Sequence, residues 1–175
     1  MKERFTQLNR QAEERGHVGT VFTLTVPARF HPMRRGVPNP SFAGATPRDG
    51  NAWLIGQWAK VRAKLQRMGV RAYGMRVAEP HHDGTPHWHV LLWTENRDDV
   101  WSIESVIRDY WRREGEPGEL ASRVAVVHLT RGASLGMADE YTVAAISAGA
   151  WAATWGIRPV EAFGDLAKLG GKPCV

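Results

Sequence analysis

The sequence predicts an α+β domain: a central antiparallel sheet with helices packed on it. Three observations carry that prediction. Amphipathic helical stretches fall between β-branched runs at 46–69 and 98–114. Two of those runs, 70–79 and 87–93, are joined by Pro80-His81-His82-Asp83-Gly84-Thr85-Pro86, the punctuation of a β-hairpin, so the strands beside it run antiparallel. A chain of 175 residues, 43% hydrophobic and 23% charged, is long enough for one real core and too short for two comfortable domains.

Residues 1–17 are polar and charged, with Phe5, Leu8 and Ala12 at helical spacing, the pattern of a short docking helix or an N-terminal arm. Val18 to Val26 is β-branched and alternates, with Val21, Thr23 and Thr25 on one face and Phe22, Leu24 and Val26 on the other; it is expected to be an interior strand. Pro27 ends it. Ala28 to Ala45 then holds Pro32, Pro38, Pro40 and the basic pair Arg34-Arg35, and reads as one long loop. Thr46, Pro47 and Asp49 form a helix start, after which Leu54, Trp58, Val61, Leu65 and Met68 repeat at steps of four and three until Gly69. The hairpin follows. Asp98 to Glu114 is a second amphipathic helix with Val100, Ile103, Ile107, Tyr110 and Trp111 inward. Arg123 to Thr130 is a strand, Ala138 to Trp155 an Ala-rich helix, and Ile157 to Phe163 a short last segment. The folded domain is thus expected over 18–165, with 166–175 as a tail.

The charge balance narrows the function. Lys and Arg total 23 against 18 Asp and Glu, a net +5, which favours an anionic partner such as nucleic acid. The single cysteine, Cys174, excludes a disulfide framework and a Cys-rich zinc site and points to the cytoplasm. No apolar run is long enough for a membrane span, and Met1-Lys2-Glu3-Arg4 does not open a secretory signal.

The chemistry concentrates in Glu79 to His89. On a strand, His87 and His89 point to one face while Trp88 points to the other, where Val90 and Leu92 continue an apolar stripe. With seven histidines in the chain a lone His-x-His carries little weight, but a carboxylate on the preceding strand changes that. If the hairpin pairs so that Glu79 lies opposite His89, the carboxylate joins the imidazoles in a two-His, one-carboxylate cluster suited to Mn²⁺ or Mg²⁺ bridging to a phosphate oxygen. A two-residue turn at Asp83-Gly84 would put Glu79 opposite Trp88, on the wrong face. The cluster therefore requires an odd-numbered loop, such as 82–86, or a bulge. His81 and His82 are expected to face outward or toward DNA; His31 is a loop histidine within reach of the site. Tyr73 and Tyr110 belong to a strand and to a buried helix stripe. Tyr141 opens the last helix, on a stripe of small residues (Ala145, Ala148, Ala152) that leaves room for a nucleic-acid strand.

Several motifs carry a resemblance: Phe22-Thr-Leu-Thr25, Pro27-Ala-Arg-Phe-His31, Asn39-Pro-Ser-Phe42, Thr46-Pro-Arg48, the block from Arg76 to Leu92, and Trp151-Ala-Ala-Thr-Trp-Gly-Ile-Arg158. Between residues 20 and 164 the chain resembles the bacteriophage replication gene A protein family, rolling-circle initiators within the HUH endonuclease superfamily. The resemblance implies an HUH nuclease-like α+β fold and a tyrosine that attacks single-stranded DNA at a replication origin. That attack leaves a 5′-phosphotyrosyl link and frees a 3′-hydroxyl. Carried over by motif, His87 and His89 are metal ligands, Glu79 the third, and Tyr141 the nucleophile. Arg34, Arg35, His81, His82 and Arg131 are the expected DNA contacts, with a host helicase and polymerase as candidate further partners. The family's helix resembles Tyr-Ile-Ala-Lys-Tyr-Ile-Ala-Lys, and here the second tyrosine is Ala145 and the lysines are Ala144 and Ala148. Those departures keep a second expectation open, a truncated relative that binds origin or single-stranded DNA without cutting. A two-histidine phosphoesterase is set aside, because His128-Leu-Thr130 has no second His-x-Thr.

Overall fold

The computed structural model describes residues 2–115, 118–130, 140 and 143–164. It is an α+β structure built on a five-stranded antiparallel sheet. The strands are β1 (Val18–Thr25), β4 (Tyr73–Pro80), β5 (Pro86–Thr94), β6 (Val124–His128) and β7 (Val160–Phe163), in the order β6-β1-β5-β4-β7. The His-x-His strand β5 is therefore the centre of the sheet, with β1 on one side and β4 on the other.

Helix α1 (Lys2–Glu14) realises the docking-helix alternative for the N-terminus. Leu8 and Ala12 are buried against Val21, Met75, Val77, Leu91 and Trp93 on one face of the sheet. The other face carries α2 (Pro47–Arg67) and α3 (Arg97–Arg112), whose Leu54, Trp58, Val61, Ile103, Ile107 and Trp111 close over Phe22, Leu24, Trp88, Val90 and Leu92. The alternation read along 18–26 and 87–93 is thus the division between these two layers.

Local chemistry accounts for the helix ends. Thr46 and Asp49 form a complete capping box: Asp49 N–H donates to Thr46 Oγ1 at 3.3 Å, and Thr46 N–H donates to Asp49 Oδ2 at 2.8 Å. Asn96, two residues before the expected helix, caps α3 by accepting from Asp99 N–H at 2.9 Å. The long loop 28–45 is more ordered than its prolines suggest. It contains a 3₁₀ turn (Ala28–Phe30) and a two-residue hairpin of β2 (Met33–Arg34) and β3 (Val37–Pro38). Arg35 and Gly36 at its tip both have positive φ, 51° and 80°, the type I′ turn that matches strand twist.

The expected helix 138–155 is two pieces in the described residues. Residues 143–147 are helical, Ala148 is a turn, and α5 (Gly149–Trp155) follows; α4 is the single turn Leu120–Arg123. The interruption falls where burial changes sides: Ala145 packs into the α1 layer and Ala152 into the α2–α3 layer. Gly149 sits at that crossing. Trp151 Nε1–H then donates to Gly84 O at 3.0 Å, tying α5 to the hairpin tip. Among the described residues no helix is long and apolar enough to cross a membrane.

Candidate metal centre

The β4–β5 loop decides the site. Pro80 pairs with Pro86, so the loop is 81–85, odd-numbered as the cluster requires and one residue earlier than 82–86. Glu79 lies directly opposite His87, not opposite His89 as expected, because the loop starts one residue earlier; the two-residue shift keeps its side chain on the face of both histidines. Gly84 takes φ 82°, and Thr85 N–H donates to Asp83 Oδ1 at 3.0 Å, an Asx turn that tightens the loop.

His87 Nε2 and His89 Nε2 are 3.0 Å apart, and His89 Nε2 lies 3.8 Å from Glu79 Oε2. The donor atoms of Glu79, His87 and His89 all fall within 4.8 Å of one another. Two cis ligands on a cation with bonds of about 2.1 Å are about 3 Å apart, so the imidazole spacing suits a shared ion. A buried polar atom points the same way: Glu79 Oε1 is buried with no hydrogen-bond partner. Burial, first of all, pushes His87 down to about 3 and His89 down to about 4, with neighbouring imidazoles adding to the effect. Both rings are therefore neutral near pH 7, the form that binds a metal. Burial, and then Glu140, raises the Glu79 carboxyl above its ordinary value.

Neighbouring strands complete the cluster. Thr23 of β1 pairs with His89, and Thr23 Oγ1 lies 3.1 Å from His89 Nδ1. In the tautomer that leaves Nε2 with its lone pair, Nδ1–H donates to that hydroxyl and holds the ring's orientation. Behind β5, Trp88 is fully buried; its Nε1–H donates to Asn51 Oδ1 at 3.0 Å, and the Arg76 guanidinium lies 3.9 Å above its ring. Arg76, itself 4% exposed, is neutralised by Glu161 of β7 at 2.6 Å.

The expected DNA contacts divide. His82 is exposed. His81 does not face outward with it: its ring packs 4.2 Å from His87 and 5.2 Å from His31, and its Nε2 is buried without a partner. His31 reaches this cluster, with Nδ1 3.0 Å from Asp83 Oδ2. Arg34 is exposed and lies 3.7 Å from Glu119. Arg34 and Arg35 share a groove of about 360 Å³ with Thr25 and His31. Tyr141 and Arg131 lie outside the described residues. The part of Thr23, and of Asn51 behind Trp88, was missed in the sequence. Thr23 stood on the correct face, but only the pairing of β1 with β5 puts it opposite His89.

Comparison with known proteins adds a family. The model of the bacteriophage replication gene A protein family matches residues 1–145. The replication gene A protein of Escherichia phage 186 is 34% identical over 183 residues, covering 86% of this chain and 26% of that protein. Its counterpart from Escherichia phage P2 is 30% identical over 208 residues, covering 93% of this chain and 27% of that protein. A probable replication endonuclease from a prophage-like region of Shigella boydii serotype 4 (strain Sb227) is 42% identical over 104 residues, 59% of this chain and 13% of that protein. The chain thus spans about a quarter or less of these relatives' length. No solved structure matches it significantly.

Proposed function

Since the chain belongs to the bacteriophage replication gene A protein family, we propose that it is the nicking domain of a phage or prophage replication initiator, a metal-dependent endonuclease that cuts single-stranded DNA at an origin for rolling-circle synthesis. The observation that carries this reading is the convergence of His87, His89 and Glu79 on one face of the sheet.

In this reading His87, His89 and Glu79 hold a divalent cation, and two imidazole nitrogens favour Mn²⁺ over Mg²⁺, a harder ion that prefers oxygen. When bound, the cation supplies charge neutralisation on the scissile phosphate. The nucleophile we assign is Tyr141. A phenol of pKa near 10 is only about a thousandth ionised at pH 7, so it needs such an electrostatic partner. Its oxygen bonds to phosphorus as the P–O3′ bond breaks, giving a 5′-phosphotyrosine and a 3′-hydroxyl that takes up the proton. Two neighbours of Tyr141 support the assignment. Glu140 is close enough to Glu79 to raise its carboxyl, and Ala145 packs on the cluster's face of the sheet.

The second reading, DNA binding without cutting, draws on Ala145. Where the family's second tyrosine would stand, this chain has a buried alanine packed with Val21, Met75 and Leu91. One experiment separates the two. Incubation with Mn²⁺ and a single-stranded origin oligonucleotide is expected to yield a covalent protein–DNA adduct, absent in Tyr141→Phe and reduced at least a hundredfold in His87→Ala. An adduct that persists in Tyr141→Phe overturns the nucleophile, and no adduct with any divalent cation leaves the binding module.

A further inference from the structure

The end of β4 and β5 remote from the histidines opens into a groove of about 790 Å³. Glu79 and Tyr73 lie six positions apart on β4, about 20 Å at roughly 3.3 Å per residue, so the groove is separate from the metal centre. Two kinds of chemistry line it. On the α2 side the half-buried Phe163 lies over the buried Trp58, with Arg62 and Arg71 presenting guanidinium groups; Tyr73 and Arg15 line the side toward α1. The rings are held in place: Trp58 and Phe163 meet edge to face at 5.3 Å, and Tyr73 stacks on Trp93 at 5.8 Å with its hydroxyl 2.7 Å from His17 Nδ1.

The charge is available to a ligand. Arg29, Arg34, Arg108 and Arg113 are each paired with an acid of this chain. Arg62 and Arg71 are exposed and form no salt bridge among the described residues. Glu95 is the one acid among the lining residues. A ligand that suits both parts has a flat apolar face and an anionic edge. A nucleotide has both, and this volume lies within the range of small-ligand pockets.

We propose that this groove holds one nucleotide of the strand being processed, its base against Phe163 and the edge of Trp58 and its flanking phosphates at Arg62 and Arg71. The proposal rests on the reading of the chain as a single-stranded DNA nuclease. The held nucleotide thus stands several nucleotides along the strand from the scissile phosphate, so the groove sets the strand's placement while the histidine cluster acts on it.

The test is DNA affinity, read apart from cleavage. The full chain, in EDTA, is titrated with a 5′-labelled 20-nucleotide single strand at several salt concentrations, by fluorescence anisotropy. Each single-strand phosphate contact contributes about 0.7 to the slope of log K against log salt. The double variant Arg62→Ala/Arg71→Ala is expected to shrink the slope by about 1.4 and weaken binding at least tenfold. Arg97→Ala/Arg112→Ala, which removes the same charge from α3, shifts it by less than half as much. In the unaltered protein, a 5-iodouracil 20-mer is expected to cross-link at Phe163 or Trp58. An unchanged slope in the groove variant overturns the proposal, as do cross-links confined to other residues. Equal affinity for thymidine monophosphate and the 20-mer also overturns it, since the groove would then be a mononucleotide pocket. Failure of the covalent adduct with these readouts intact would instead count against the nuclease alone.

Discussion

Thr23 shows how much a single hydroxyl can decide. It bonds a ring nitrogen of His89 that does not face Glu79, so its effect on a cation held by the proposed ligands would be through ring orientation and tautomer. Thr23→Val keeps the shape and removes the bond, and is expected to weaken Mn²⁺ affinity by about 10–100-fold. Thr23→Ser should restore it; calorimetric titration of the metal-free protein measures both. Tyr73 gives a residue-level test of burial. Burial pushes its phenol up to about 12, above the unfolded value near 10. Its contribution to stability is therefore fully present below pH 10 and lost as pH rises through 12. Absorbance at 295 nm should show a tyrosinate step near pH 12 that Tyr73→Phe lacks, and identical curves above pH 11 would contradict the assignment.

Among elements, the junction of α2 with the His-x-His strand is the critical one. Asn51, in the first turns of α2, accepts from the Trp88 indole, while a Cβ at Gly50 would stand 2.9 Å from Pro86 Cγ. The start of α2 thus touches the base of the β4–β5 loop and the back of the strand that bears both ligands. Asn51→Ala leaves the buried Trp88 N–H unsatisfied, which costs about 1–3 kcal/mol; urea unfolding should show this as a lower midpoint with an unchanged slope. Glu114 joins the next layer. It accepts from Trp53 Nε1 at 2.9 Å and Gln57 Nε2 at 3.0 Å, with Lys60 at 3.5 Å. The Trp53 hydrogen bond is the main reason its carboxyl lies below the ordinary value.

For the whole molecule, the consequence is linkage between fold and cation. The candidate metal centre draws on neighbouring strands of one sheet, and its three side chains meet only when β4 and β5 are paired. An ion that binds the native state alone stabilises it by RT ln(1 + [L]/Kd), about 2.7 kcal/mol at a hundred times Kd. Saturating Mn²⁺ should therefore raise the melting temperature in scanning calorimetry, and Glu79→Ala/His87→Ala should abolish the rise without losing the folded baseline. An equal rise in that variant would place the ion elsewhere.

The sequence by itself determined the fold class, the two long helices, four of the five sheet strands and the face shared by His87 and His89, while 157–163 reads only as a short last segment. Those follow from periodicity and capping, which are local, and the motifs from Phe22 to Arg158 were sufficient to identify the family. Three things were decided only by tertiary structure. The five-residue loop 81–85 selects the face of Glu79, and a shift of one residue would have inverted it. The placement of β5 between β1 and β4 makes Thr23 a partner of His89. The packing of His81 against His87 and His31 turns an apparently outward loop histidine inward. In each case the contact joins segments distant in sequence or depends on register, and neither is encoded in a local pattern.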